Sequence, residues 1–197
     1  MEQERLSLFY IYRKVLFPYC VIFFKTSSKR YRNLKEGDLL LTLPISTLLD
    51  ALFARRRIAT LAEVSKITCE NSSCAVHLKG ISRVRVMKIH GFSTAEYEPV
   101  EEEDPSRYAA IDDLRKRTQE LIFLINVKES DKLIHLLSFI NSLNQLTDFI
   151  SNYFVVKHSQ RLAIFNELNA QVRAQQLIVI LDQLIKRFKE KREKALT

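Results

Sequence analysis

The stretch from Leu78 to Pro99, LKGISRVRVMKIHGFSTAEYEP, constrains the fold most, because it holds two of only three glycines in 197 residues. Val84 and Val86 alternate with Arg83 and Arg85, the two-residue period of a strand with one buried and one wet face. The phase then shifts at Met87, since Met87 and Ile89 are apolar on the side that carried arginines. A β-bulge accounts for that switch, as does a strand that changes partners at the corner of a barrel. Gly80 falls where a side chain would crowd a neighbouring backbone. After Pro99 comes an acidic run, with nothing strand-like beyond it. The stretch therefore reads as the closing strands of a β-barrel that carries a helical domain on its end.

Upstream, Leu6–Ile11 and Val15–Phe24 read as two strands, interrupted by Arg13-Lys14 and by Phe17-Pro18, where proline marks an edge or a bend. Ser27 or Ser28 caps a short helix, KRYRNL, that ends by Gly37. Asp38–Leu43 is a third strand, and Thr47–Arg56 a helical turn or a loop insertion. Ile58–Ile67 and Cys74–Leu78 form a hairpin around Glu70-Asn71-Ser72-Ser73. Short strands separated by turns point to a small barrel or a sandwich.

Glu101–Pro105 is the boundary, which divides the chain into residues 1–104 and residues 105–197. Beyond it the apolar period becomes helical, and Asp104-Pro105-Ser106 makes a helix start. Helices are expected over Tyr108–Val127, from Ser130 with Leu133, Leu136/Leu137 and Ile140 on its inner face, over Leu143–Phe154 and over Ser159–Leu168. A last long helix is capped by Asn169. In it Val172, Leu177, Leu181, Leu184 and Phe188 form the inner face, while the turns past Phe188 are solvated. Asp182–Lys186 and Glu190–Lys194 are spaced as i,i+4 ion pairs. The expected class is α+β: a barrel followed by a helical bundle that ends in a long helix.

The net charge of +8 is uneven, with bases clustered at Lys25–Lys35, Arg55–Arg57 and Lys186–Lys194 and acids at Glu96–Asp104. Such clusters suit a nucleic acid or an anionic surface, and equally a solvated face. Cys69 and Cys74 flank ENSS and face each other across the expected hairpin, reading as incidental thiols of a cytoplasmic protein. The apolar run Val15–Phe24 is too short to span a bilayer, and no membrane partner is expected.

Catalysis is not expected. His77, His90, His135 and His158 lack second ligands at metal spacing, and the acids Glu101–Asp104 lack the glycine of a cation loop. No cofactor or metal is implied. Binding remains: the first strands carry more aromatic residues than one small barrel face needs. Tyr10, Tyr12, Phe24 and Tyr31, beside Lys29 and Arg30, make a candidate surface for unfolded or extended polypeptide, held by adding a strand to the barrel edge. The plainer reading is that these aromatics fill the contact between barrel and helices.

Three motifs in order carry a resemblance. They are LSLFYIYRKVLFPYCVIFF at Leu6–Phe24, the pair IATLAEVSKI and VHLKGISRVRVMKI at Ile58–Ile67 and Val76–Ile89, and AEYEPVEEE at Ala95–Glu103. Together they resemble the amino-terminal substrate-recognition domain of Lon proteases, in a stand-alone form. The helical half matches more loosely, at Leu146–Ser151, Gln160, Asn169 and Arg173. The resemblance implies a PUA-like barrel and a polypeptide-binding module acting as adaptor, holder or regulator. Neither of Lon's other machines is expected: Gly37, Gly80 and Gly91 lie too far apart for a P-loop, and nothing corresponds to the Ser–Lys peptidase segment. Ser28 stands where the family has an acid, which weakens any role carried over to that loop. The PUA-like barrel and the basic charge also admit RNA as an alternative ligand. Oligomeric state is not specified.

Overall fold

The computed structural model describes residues 5–27, 29–51, 57–70, 73–91, 93–102, 108–125 and 130–196. Six strands come first: β1 (Arg5–Tyr12), β2 (Val21–Thr26), β3 (Leu39–Ile45), β4 (Ile58–Glu70), β5 (Ser73–His90) and β6 (Thr94–Pro99). Five helices follow: α1 (Tyr108–Ile125), α2 (Ser130–Phe139), α3 (Leu143–Phe154), α4 (His158–Asn166) and α5 (Ala170–Leu196). The chain forms two compact units, Met1–Glu101 with Lys157–Asn166, and Glu102–Val156 with Glu167–Thr197.

In the first unit, strand pairing closes on itself. β1 runs parallel to β3, β3 antiparallel to β4, β4 to β5, β5 to β6, and β6 returns to β1 over Arg5–Ser7. β5 is long enough to change partners along one edge: Cys74–Lys79 pair with β2, and Val84–His90 with β6. The register skips a residue between Val86 and Lys88, which puts a bulge at the Met87 phase shift. Both explanations drawn from the sequence thus operate in the same strand. At Gly80 a Cβ would lie 2.3 Å from the carbonyl oxygen of Phe17. Only glycine permits that approach, and it brings Gly80 N–H to Cys20 O and Tyr19 N–H to Gly80 O, both at 2.9 Å.

Three expectations need correction here. The second strand begins at Val21 and not Val15, because Pro18 lacks an N–H and Tyr19 takes a left-handed φ of 61°. Arg83 is 1% exposed, not wet: its Nε donates to Phe165 O at 2.9 Å, and its guanidinium stacks 5.2 Å from the Phe165 ring centroid. With Arg161 donating to Val15 O at 3.2 Å and Phe17 set edge-on to Phe165, these contacts anchor α4 within the first unit. Cys69 and Cys74, facing each other in register, are joined by a disulfide.

The expected KRYRNL helix is a single 3-10 turn, Lys29–Asn33, and a second 3-10 turn occupies Leu48–Ala51. The rest of the Thr47–Arg56 expectation, beyond Ala51, lies outside the described residues, as do the turn residues Asn71 and Ser72 and the Asp104-Pro105-Ser106 helix start.

In the second unit, Ser142 caps α3 by accepting from Gln145 N–H at 3.3 Å. Asn169 Oδ1 caps α5, accepting from Gln171 and Val172 N–H at 2.9 and 3.1 Å. Arg173, wholly buried, donates to Asn144 Oδ1, to Thr147 Oγ1 at 3.2 Å and to the carbonyls of Glu167 and Leu168 at 2.7 and 3.3 Å. Glu102 approaches the same guanidinium at 3.6 Å, so this acid is not the solvated linker residue expected. Asp182 pairs with Arg117 of α1. Of the inner face expected on α2, Leu137 is buried while Leu136 is 50% exposed.

Candidate functional site

The first unit presents a cavity of about 390 Å³ bounded by β1 and β2, within the range typical of ligand-binding clefts. Two features of the topology produce it. The ladder between β1 and β6 stops at Ser7, so the later half of β1 has a strand neighbour only in β3 among the described residues. Among the described residues β2 likewise pairs only with β5. Phe9 to Tyr12 of β1 and Phe24 to Thr26 of β2 face the resulting opening, with Lys14 and Tyr31.

Alternation sorts the lining side chains into floor and rim. Phe9, Ile11 and Tyr31 are buried and belong to the apolar cluster beneath the sheet, with Phe24 packed against it. The Phe9 and Tyr31 rings lie 4.5 Å apart between centroids, and Phe24 meets Tyr31 edge-on at 5.4 Å. Offset and edge-on arrangements of this kind add about 0.5–1.5 kcal/mol per pair beyond the area buried. At the rim, Tyr12 is 53% exposed with the Arg13 guanidinium 5.3 Å from its ring centroid. Lys14 Nζ lies 5.9 Å from the Phe24 centroid and 3.5 Å from Phe23 O. Among the described residues, the ionisable side chains besides tyrosine on the lining are Lys14 and Lys25, both positive.

Of the six residues singled out in the sequence, Tyr10, Tyr12, Phe24 and Tyr31 come together around this one cavity. Lys29 begins the 3-10 turn that carries Tyr31 and is exposed; the side chain of Arg30 lies outside the described set. Phe9, Ile11, Lys14 and Thr26 were missed. Phe9 and Ile11 share the odd-numbered phase of β1, a signal available in the alternation alone. Lys14 and Thr26 carry none, because which strands face each other is a property of the topology.

Another cluster has the residue types of nucleophilic catalysis. Ser46 Oγ lies 3.1 Å from His158 Nε2, and Asp50 is near. The carboxylate, however, accepts from the backbone N–H groups of Ser46 and Thr47 at 2.7 and 3.1 Å, and those bonds hold it below the usual carboxylate range. Burial, reinforced by Arg161 and Arg13, pushes His158 below its ordinary value. His158 Nδ1 has no hydrogen-bond partner, so no acid orients the ring as a triad requires. The cluster pins the start of α4 to the end of β3. Among the described residues no three His, Cys, Asp or Glu side chains gather as metal ligands, and no helix is long and apolar enough to cross a membrane.

Residues 5–183 match the family model for the ATP-dependent protease La (LON) substrate-binding domain. The N-terminal domain of a Mycobacterium avium complex Lon protease superposes with a TM-score of 0.71 at 13% identity, over 91% of this chain and 98% of that one. A Lon N-terminal domain protein from Xanthomonas campestris gives 0.58 at 17% identity, over 89% and 98%. At these identities the structures establish a shared fold. No curated protein matches by sequence.

Proposed function

This chain belongs to the ATP-dependent protease La (LON) substrate-binding domain family, and on that premise we propose that its first unit holds extended or unfolded polypeptide. The observation that carries the reading is the aromatic-floored, positively rimmed cavity between β1 and β2. One apolar side chain of a client enters over Phe9, Phe24 and Tyr31. Its flanking backbone lies along the outer edge of β2, where strand addition supplies affinity without regard to sequence. Lys14 and Lys25 favour clients whose apolar residues are followed by acids. Helices α1, α2, α3 and α5 form the second part of a module that works as an adaptor, a holder or a regulator, without ATPase or peptidase chemistry of its own. Its proposed compartment is the cytoplasm; there the Cys69–Cys74 pair would stand as thiols, and the ladder alone would keep the hairpin in register.

Fluorescence anisotropy tests this. A labelled unfolded polypeptide and a labelled single-stranded RNA are titrated separately with the full chain at low and moderate salt. Saturable polypeptide binding that survives salt, and that weakens about 10-fold in Tyr12→Ala/Phe24→Ala, is the expected result. Polypeptide binding indifferent to that double substitution refutes the groove. RNA binding that collapses steeply with salt transfers the function to the basic surface.

A further inference from the structure

The second unit contains a cavity that the polypeptide reading does not use. It measures about 350 Å³ and is walled by Leu121 of α1, Phe154 of α3, and Leu184 and Phe188 of α5. Leu121 is fully buried and Phe154 is 7% exposed, so the floor is apolar and withdrawn from the surface. Arg187 and Lys191 also line it. They are i,i+4 neighbours on one face of α5, and both are exposed. Among the described residues neither has a hydrogen-bond or ion-pair partner, nor do Lys186 and Glu190, while other charges on this helix are engaged. Lys189 binds Glu120 at 2.7 Å, Asp182 pairs with Arg117, and Arg192 donates to Phe123 O at 3.3 Å.

We propose that this cavity is a binding site for an unbranched aliphatic chain ending in a carboxylate. The apolar walls take the chain, and the two cations at the lining take the head group by charge-assisted hydrogen bonds. A peptide segment fits less well, because Leu121, Ile125, Phe154, Val156, Leu184 and Phe188 offer no side-chain hydrogen-bond partner, which leaves Tyr153 and the two cations alone to meet its backbone N–H and C=O groups. The proposal is independent of polypeptide binding in the first unit.

Calorimetric titration of the full chain with decanoate and with 1-decanol, below their aggregation limits, tests it. One decanoate per chain is expected, at least 10-fold tighter than decanol. Arg187→Gln/Lys191→Gln, whose sites are exposed, should bring decanoate down to the decanol affinity with the thermal midpoint unchanged. Methyl NMR shifts should fall on Leu121 and Leu184. Absent or multi-site decanoate binding, affinity retained by the double variant, or shifts confined to the first unit would each overturn the site. Displacement of decanoate by a short peptide ending in a free Leu carboxylate, and not by its amide, would overturn the aliphatic ligand in favour of a protein terminus.

Discussion

Replacing Gly80 with alanine tests the joint on which the groove depends. The new Cβ would sit 2.3 Å from Phe17 O, 3.0 Å from Phe17 C and 3.2 Å from Pro18 Cα, all backbone atoms with no rotamer to yield. Restoring an ordinary contact distance requires the Phe17–Cys20 turn and β5 to part by about 1 Å. That movement stretches the two 2.9 Å bonds linking Gly80 to Tyr19 and Cys20 beyond useful hydrogen-bond length. Two lost bonds at about 1 kcal/mol each, added to an overpacking cost of about 1–3 kcal/mol, give about 3–5 kcal/mol. The thermal midpoint, followed by far-UV circular dichroism, should fall on the order of 10 °C. Exchange of the Tyr19 amide should accelerate in parallel, and polypeptide affinity should drop because the same turn launches β2. Gly91→Ala is the control: Gly91 has φ +54° and nothing within 4 Å of a built Cβ, so only the left-handed backbone penalty of about 1–2 kcal/mol applies. Equal stability losses in the two variants would refute the steric argument.

Arg173→Met should destabilise the second unit by about 3–5 kcal/mol in urea unfolding, since Asn144, Thr147, Glu102 and two carbonyls lose a buried partner. Arg173→Lys should recover only part of it, having no fork to divide among them. Reduction of Cys69–Cys74, six residues of chain closed by one bond, should cost about 2 kcal/mol, read as a midpoint difference with and without dithiothreitol that vanishes in Cys69→Ser. His158 is held below its ordinary 6.5 chiefly by burial, with Arg161 and Arg13 adding to it against Asp50. The unfolded chain therefore takes up this proton first. The stabilisation is full above about pH 6.5 and is lost as pH falls through the lower folded value. The midpoint should decline between pH 7.5 and 5.5, and His158→Gln should flatten that decline.

The sequence was most informative where one residue's chemistry had a single explanation. A glycine inside an alternating strand, a phase shift at Met87 and an asparagine ahead of an apolar helix each named a close approach, a bulge and a cap, and the structure has all three. It was weakest where meaning depends on distant chain. Arg83 looks like a wet-face residue until Phe165, 82 positions later, supplies a carbonyl and a ring. Periodicity likewise identifies α4 as a helix but cannot say which unit it packs on, because an amphipathic face records that it is covered and not by what. The groove was half legible for the same reason. Tyr10, Tyr12, Phe24 and Tyr31 were visible as surplus aromatics, whereas Lys14 and Thr26 acquire a role only once β1 and β2 bound the same opening.

The ring closure described above also fixes an order of events during synthesis. Arg5 pairs with Glu96, so the first strand emerges from the ribosome and waits for 91 more residues before its last ladder can form. At translation rates of about 5–20 residues per second, that wait is about 5–20 s. α4, which covers Arg83 and Phe17, arrives later still, after α1, α2 and α3 have been made. The first unit is thus the earlier to begin and is not complete until the second is well under way. A nascent chain stalled after α3 would carry a closed ring of strands with the Arg83 guanidinium and the Phe17 ring still wet.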